Sequence, residues 1–278
     1  MKISELVDLL DGIAPWRLAD EWDNVGLQVG SPDRPTGKLL LALEVSAAVL
    51  TEAKALGART LITHHPLIFD PLTHLRETLP VQALVAQMIR EGMNLIVLHT
   101  NFDYIAEGPN GEIAARLEVV PRGFLAEKEK DAKGKGLYGL GLVGDLAFDT
   151  PLGQLAEAVG RALGSARASF VGAAGQRVKR VAICSGAGGE ALRRWEPGVA
   201  QALITGELTH HQCVMARDRG IAVVLAGHFE SEVVAMARLA MLLRKAVRER
   251  SSERIEIHVS KDETPLVTRA PATARQDS

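Results

Sequence analysis

Apolar positions along this chain fall into two alternating periods. Near the start, Ile3, Leu6, Val7 and Leu10 recur at i, i+3, i+4 and i+7, one face of a helix that Pro15 closes. Residues 21–30 read as a turn entering a strand, and residues 31–35 as a loop. Residues 38–45 form an apolar run of strand length. A helical stripe through Ala48, Leu50, Ala53 and Leu56 follows and stops at Gly57. The next strand ends in His64 and His65. A polar loop over 73–79, a helix over 80–91 ended by Gly92 and a strand over 95–98 complete this series. Residues 125–136 turn polar and lysine-rich, an expected exposed connection. Residues 138–146 read as a strand, and 151–163 as a helix capped by Thr150 and stopped by Gly164. Then strands at 178–184, 202–205 and 221–226 alternate with helices at 189–195 and 210–218. A long helix over 232–249 and a strand over 255–259 close the pattern.

Strands alternating with helices of this length predict an α/β fold with mostly parallel sheets. The two halves echo one another: KLLLALEVSAAVL resembles KRVAICSGAGGEAL, TLITHH resembles ALITGELTHH, and NLIVLHTNFD resembles AVVLAGHFESE. The spacings differ by a few residues, so this is an approximate duplication rather than a short-period repeat. The expected architecture is two related, interlinked α/β halves whose strand ends converge on a shared cleft. Residues 1–124 form the first half and 125–229 the second. Residues 230–260 return to the core, and 261–278 form a mobile tail rich in Thr, Pro and Ala.

The composition narrows the function classes. A chain of 278 residues with 47% hydrophobic and 24% charged residues can bury a sizeable core. A formal charge of -2 gives no electrostatic reason to expect nucleic acid or an acidic membrane as partner. Cys184 and Cys213 are the only cysteines, which excludes a disulfide framework. The first residues make a charged amphipathic helix rather than a signal peptide, and no apolar run reaches membrane-spanning length. A soluble, cytoplasmic protein is expected.

Candidate chemistry sits at strand exits, where open α/β sheets bind ligands. His64 and His65, His99 and Asp103, and His228 and Glu232 occupy three such exits. Any one pair could be a polar loop or satisfied histidines. Together they offer four imidazoles and two carboxylates, more than one tetrahedral metal site takes. Two divalent ions per chain are therefore expected, with Asp103 and Glu232 as bridging candidates. Mixed His and carboxylate ligation suits Zn, Fe, Mn, Co or Ni better than calcium. Glu207, His210 and His211 could supply a general acid or base in the same cavity, or form a helix start capped near Thr209. Residues 185–189 could hold an anion on backbone N–H groups or form a tight turn. Asp23 and Asn24 could position substrate or build a turn. Cys213 is expected to be a buried thiol rather than a ligand.

DNVGLQVG, LITHHPLIF, LHTNFD, LITGELTHH and GHFESE, in this order, resemble the motif series of the YbgI family, the dinuclear-metal-centre hexameric proteins and GTP cyclohydrolase 1 type 2 homologues. The resemblance covers the chain to about residue 265. It implies paired α/β halves, a homohexamer with metal sites facing an internal cavity, and ligands at His64, His65, His99, Asp103, His228 and Glu232. Some relatives carry a long domain inserted mid-chain, for which this length leaves no room. Glu44 stands where relatives are expected to have Asp. The implied reaction is metal-assisted hydrolysis, a GTP ring opening at C8 that releases formate. A phosphoester or other small-molecule substrate fits the same site, and a non-catalytic metal-binding or scaffold hexamer is the alternative.

Overall fold

The computed structural model describes residues 1–134, 136–165, 168–250 and 254–266. The first series comprises α1 (Ile3–Ile13), β1 (Gly26–Val29), β2 (Lys38–Ala42), α2 (Ala47–Leu56), β3 (Ala58–Thr63), α3 (Pro80–Arg90), β4 (Asn94–Val97), α4 (Thr100–Asp103) and α5 (Pro109–Arg116). The second comprises β5 (Val120–Lys130), β6 (Gly136–Pro151), α6 (Leu152–Leu163), β7 (Ser169–Val171), β8 (Arg177–Ala187), α7 (Gly189–Arg193), β9 (Ala202–Glu207), α8 (His210–Asp218) and β10 (Ala222–Leu225). The long α9 (His228–Arg250) and β11 (Ile257–Val259) then return to the first sheet.

That first sheet has the order β1-β4-β3-β2-β11, parallel throughout except for β1, which runs antiparallel to β4. Both of its faces are covered, which is why its strands read as unbroken apolar runs. Leu39, Leu41, Ile62 and Ile96 pack against α1 and α9, while Leu40, Leu61 and Leu95 pack against α2 and α3. Ser46 caps α2 by accepting from the Val49 N–H, and Gly57 ends it in the left-handed conformation.

The second sheet has the order β5-β6-β8-β9-β10-β7. Only β8, β9 and β10 run parallel; β5, β6 and β7 add antiparallel pairings, so this sheet is mixed rather than mostly parallel. The polar stretch expected to be a connection is instead the arm β5, paired with β6. Its side chains are exposed on both faces over most of its length, so it carries no apolar alternation to reveal it. Thr150 lies within β6 and donates to the Phe148 carbonyl, and Pro151, the last residue of β6, takes the cap position of α6. Cys213 is half-buried, and it is Cys184 that is buried.

Helices α5 and α9 are among the elements that join the halves. Ile113 and Ala114 of α5 pack with Val181, Ile183 and Ile204 of the second sheet. Helix α9 contributes Val234 to that core and Leu239 and Leu243 to the first. Of the tail expected to be mobile, residues 261–266 are described. Glu263 accepts from the Leu43 and Glu44 N–H groups at 2.7 and 3.1 Å, and Lys261 N–H donates to Glu52. Residues 267–278 lie outside the described residues. No described helix is long and apolar enough to cross a membrane.

Candidate metal centre

Strand β3 runs directly into the histidine pair, which stays attached to the neighbouring strand: the His65 N–H donates to the Leu43 carbonyl at 2.7 Å. Strand β4 delivers His99, which opens the single turn α4, so that Asp103 lies one turn further on. From the second half, α9 starts at once after Gly227, four residues earlier than its apolar pattern suggests. His228 and Glu232 therefore share a face, one turn apart.

These six residues meet in one cluster. Ligand atoms of His64, His65 and His99 lie within 4.8 Å of one another, as do those of His65, His228 and Glu232, so His65 belongs to both groups. Glu232 sits between three rings: its Oε2 is 2.9 Å from His65 Nε2 and 3.1 Å from His228 Nε2, and its Oε1 is 3.8 Å from His64 Nε2. Asp103 Oδ1 is 3.7 Å from His64 Nε2. Three of the four histidines are held from behind through Nδ1: His64 by the Leu98 carbonyl at 2.9 Å, His99 by Asp23 at 2.9 Å and His228 by Glu207 at 3.1 Å. His65 Nδ1 faces Glu44 at 3.6 Å.

Two glycines make room for this arrangement. At Gly186, with φ +61°, a Cβ would lie 2.1 Å from Glu232 Oε1. At Gly206 a Cβ would meet the Gly186 carbonyl and the Ser231 hydroxyl, both at 2.6 Å.

The donor set fits a cation. His64 Nε2 and Asp103 Oδ1 are buried, face each other and have no hydrogen-bond partner. Buried polar atoms without partners are rare and costly, and a metal ion satisfies both at once. Charge coupling across the cluster is strong. Burial opposes the charge on His65, but Glu232 and Glu44 raise it to about 10. Glu232, against burial, and then Glu207 raise His228 to about 9. Burial and the charge of Glu232 push Asp103 up to about 8. Burial also opposes the charge on Glu232, yet His228, His64 and His65 hold its carboxyl well below the usual range.

The cluster lies between two cavities. One, of about 460 Å³, is lined by His65, His228, Glu44, Glu207, Phe229 and Leu266. The other, of about 670 Å³, reaches His99, Asp103 and Glu232 past Trp22, Phe69 and Arg194.

Of the three residues expected to act as acid or base, the structure brings only Glu207 to the cluster. His210 and His211 are exposed at the start of α8 and line neither cavity. Thr209 caps that helix: its hydroxyl accepts from the Gln212 N–H, and the Gln212 side chain accepts from the Thr209 N–H. Residues 185–189 run from the end of β8 into the start of α7, and three of their N–H groups are taken, Ser185 by Asn110, Gly186 by Ser231 and Gly188 by the Glu207 carbonyl. The role of Asp23 behind His99 was not legible in the sequence, since 76 residues separate the two.

The chain is 30% identical over 264 residues to a GTP cyclohydrolase 1 type 2 homolog of Clostridium perfringens, covering 94% of this chain and 97% of that one. A crystal structure of a Staphylococcus aureus hypothetical protein matches with a TM-score of 0.87 at 27% identity, over 97% of this chain and 99% of that one. The protein ybgI, of unknown function, matches with a TM-score of 0.78 over 94% and 98%, and its 24% identity speaks for the fold alone. A family profile, Duf34/NIF3 (NGG1p interacting factor 3), matches residues 1–265, and the chain belongs to that family.

Proposed function

We propose that this protein is a metal-dependent hydrolase with two divalent cations per chain, acting on a nucleotide or another small molecule. One observation carries the reading: Glu232 lies among three imidazoles, with His64 Nε2 and Asp103 Oδ1 buried beside it and unpartnered. His64, His65, His99, His228, Asp103 and Glu232 would hold the ions. Bound there, two divalent ions would polarise substrate and activate water near neutral pH. Zinc, iron, manganese, cobalt and nickel all suit this donor set.

The chain's own residues do the rest. Glu207, exposed on the cavity wall, bonds His228 Nδ1 and can hold and pass a proton there. The two cavities give a small molecule room against the cluster, within the size range of ligand sites. The name of the Clostridium perfringens relative supports GTP as the first substrate to try. A homohexamer in the cytoplasm completes the reading, to be tested by light scattering after gel filtration.

The test is a hydrolysis screen of the metal-loaded protein against GTP, other nucleotides and phosphoesters, reading formate and phosphate release. Turnover abolished in Glu232→Ala supports the proposal. Two bound metals with no turnover across the panel would favour the metal-binding scaffold instead.

A further inference from the structure

We propose that the segment from Asp23 to Gln28 is a bracket that sets the His99 side of the metal centre, with Asp23 as the positioning residue for the His99 imidazole. The inference rests on the metal-centre reading above. It accounts for the DNVGLQ motif, which none of the six ligand positions uses.

The Asp23 carboxylate is fully buried, and its orientation is over-determined. Oδ1 faces His99 Nδ1 at 2.9 Å and accepts from the Asn24 N–H at 2.8 Å. Oδ2 accepts from both the N–H and the hydroxyl of Thr100, at 3.1 and 2.5 Å. An ionised carboxylate only accepts hydrogen bonds. His99 must therefore carry its hydrogen on Nδ1, which leaves the lone pair of Nε2 for the cluster. The Leu98 carbonyl imposes the same tautomer on His64. The Trp22 ring meets His99 edge-on, with centroids 6.1 Å apart, and limits its tilt.

The other end of the segment grips the chain leaving the histidine pair. Asn24 Nδ2 donates to the Ile68 carbonyl at 2.6 Å and Gln28 Nε2 to the same oxygen at 2.9 Å. Gln28 Oε1 accepts from the Ile68 N–H at 3.0 Å. Both sides of the Ile68 residue are thus held, three positions after His65. One short segment therefore ties together two ligand-bearing loops from different strands. A turn needed only for chain reversal would be satisfied by the Asn24 and Thr100 contacts alone.

Cobalt(II) titration of the purified protein, followed by visible absorption, tests this in wild type, Asp23→Ala, Asp23→Asn and Gln28→Ala. Melting of each metal-free variant is measured in parallel. Wild type should take up two equivalents. Asp23→Ala should weaken one of them by about 10–100-fold and alter its spectrum, as loss of such outer partners does. If Asp23→Ala fails to fold, the near-isosteric Asp23→Asn carries the comparison and must weaken the same equivalent. Gln28→Ala should weaken it less. Two equivalents bound by the Asp23 variants with wild-type affinity and spectrum, whatever their melting temperatures, would overturn the proposal and leave the metal centre standing. A wild type that binds no cobalt would overturn both.

Discussion

Replacing Gly186 with alanine adds one methyl group against Glu232 in the candidate metal centre. The new Cβ would lie 2.1 Å from Glu232 Oε1, so the carboxylate must retreat by roughly 1.3 Å or more to reach ordinary contact. Glu232 is buried and engaged with three imidazoles, so a shift of its carboxylate disturbs at least one of those contacts. The left-handed backbone at φ +61° costs a non-glycine residue about 1 kcal/mol. A displaced Glu232 rotamer adds about 1 kcal/mol. Losing one charge-assisted hydrogen bond to a histidine adds about 2 kcal/mol. The metal-free fold should therefore lose about 4 kcal/mol in denaturant unfolding. Metal binding needs Glu232 back in place against the new methyl, an overpacking cost of about 1–3 kcal/mol, so affinity should fall by roughly 10–100-fold. Gly198→Ala is the control: its φ is +82° with nothing within 4 Å, so it bears the backbone cost of about 1 kcal/mol alone and should leave metal affinity unchanged. Gly186→Ala binding two metals with wild-type affinity would refute the placement of Glu232.

Metal uptake should release protons and strengthen as pH rises from about 6 to 9. His65 and His228 are raised to about 10 and 9, and Asp103 to about 8, so all three hold protons at neutral pH that a cation must displace. Calorimetry in buffers of different ionisation enthalpy would measure this release, and an affinity flat across that range would contradict it. Glu263→Ala should cost about 2 kcal/mol in unfolding by leaving the Leu43 and Glu44 N–H groups without their acceptor; no measurable change would show that this contact is not kept in solution. Phe102→Ala empties a fully buried position beside the His64 ring and should cost about 3–5 kcal/mol; a loss below about 1 kcal/mol would mean the site is not packed as described.

What could be read from the sequence was local, and what was hidden was mostly long-range. The strands carrying His64, His65 and His99 announce themselves because both faces of the first sheet are covered, which keeps their apolar runs unbroken. Histidines at the ends of such runs have no packing reason to be there, so the ligand candidates were visible. The pairing of His228 with Glu232 needed only a helix that starts immediately after Gly227, and α9 does so. Strand β5 was hidden because its exposed, lysine-rich side chains resemble a connection. Helix α5 was hidden because Pro109, Asn110 and Gly111 read as turn residues, although the first of them suits a helix start. Asp23 and Glu207 stand behind His99 and His228, and nothing in local spacing distinguishes such a carboxylate from a turn or a helix-start residue. His210 and His211 looked like a second histidine pair at a strand exit. Thr209 and Gln212 explain that stretch as a capped helix start instead.

The measurement to make first is metal content, by elemental analysis of the purified protein beside Glu232→Ala. Glu232 touches both ligand groups through His65, His228 and His64, so one substitution should unsettle the whole centre. About two transition-metal ions per wild-type chain, with most of that content lost in a folded Glu232→Ala variant, is the predicted result. Wild type without metal after reloading, or a variant that keeps its full complement, would contradict the assignment of these six residues as a metal centre.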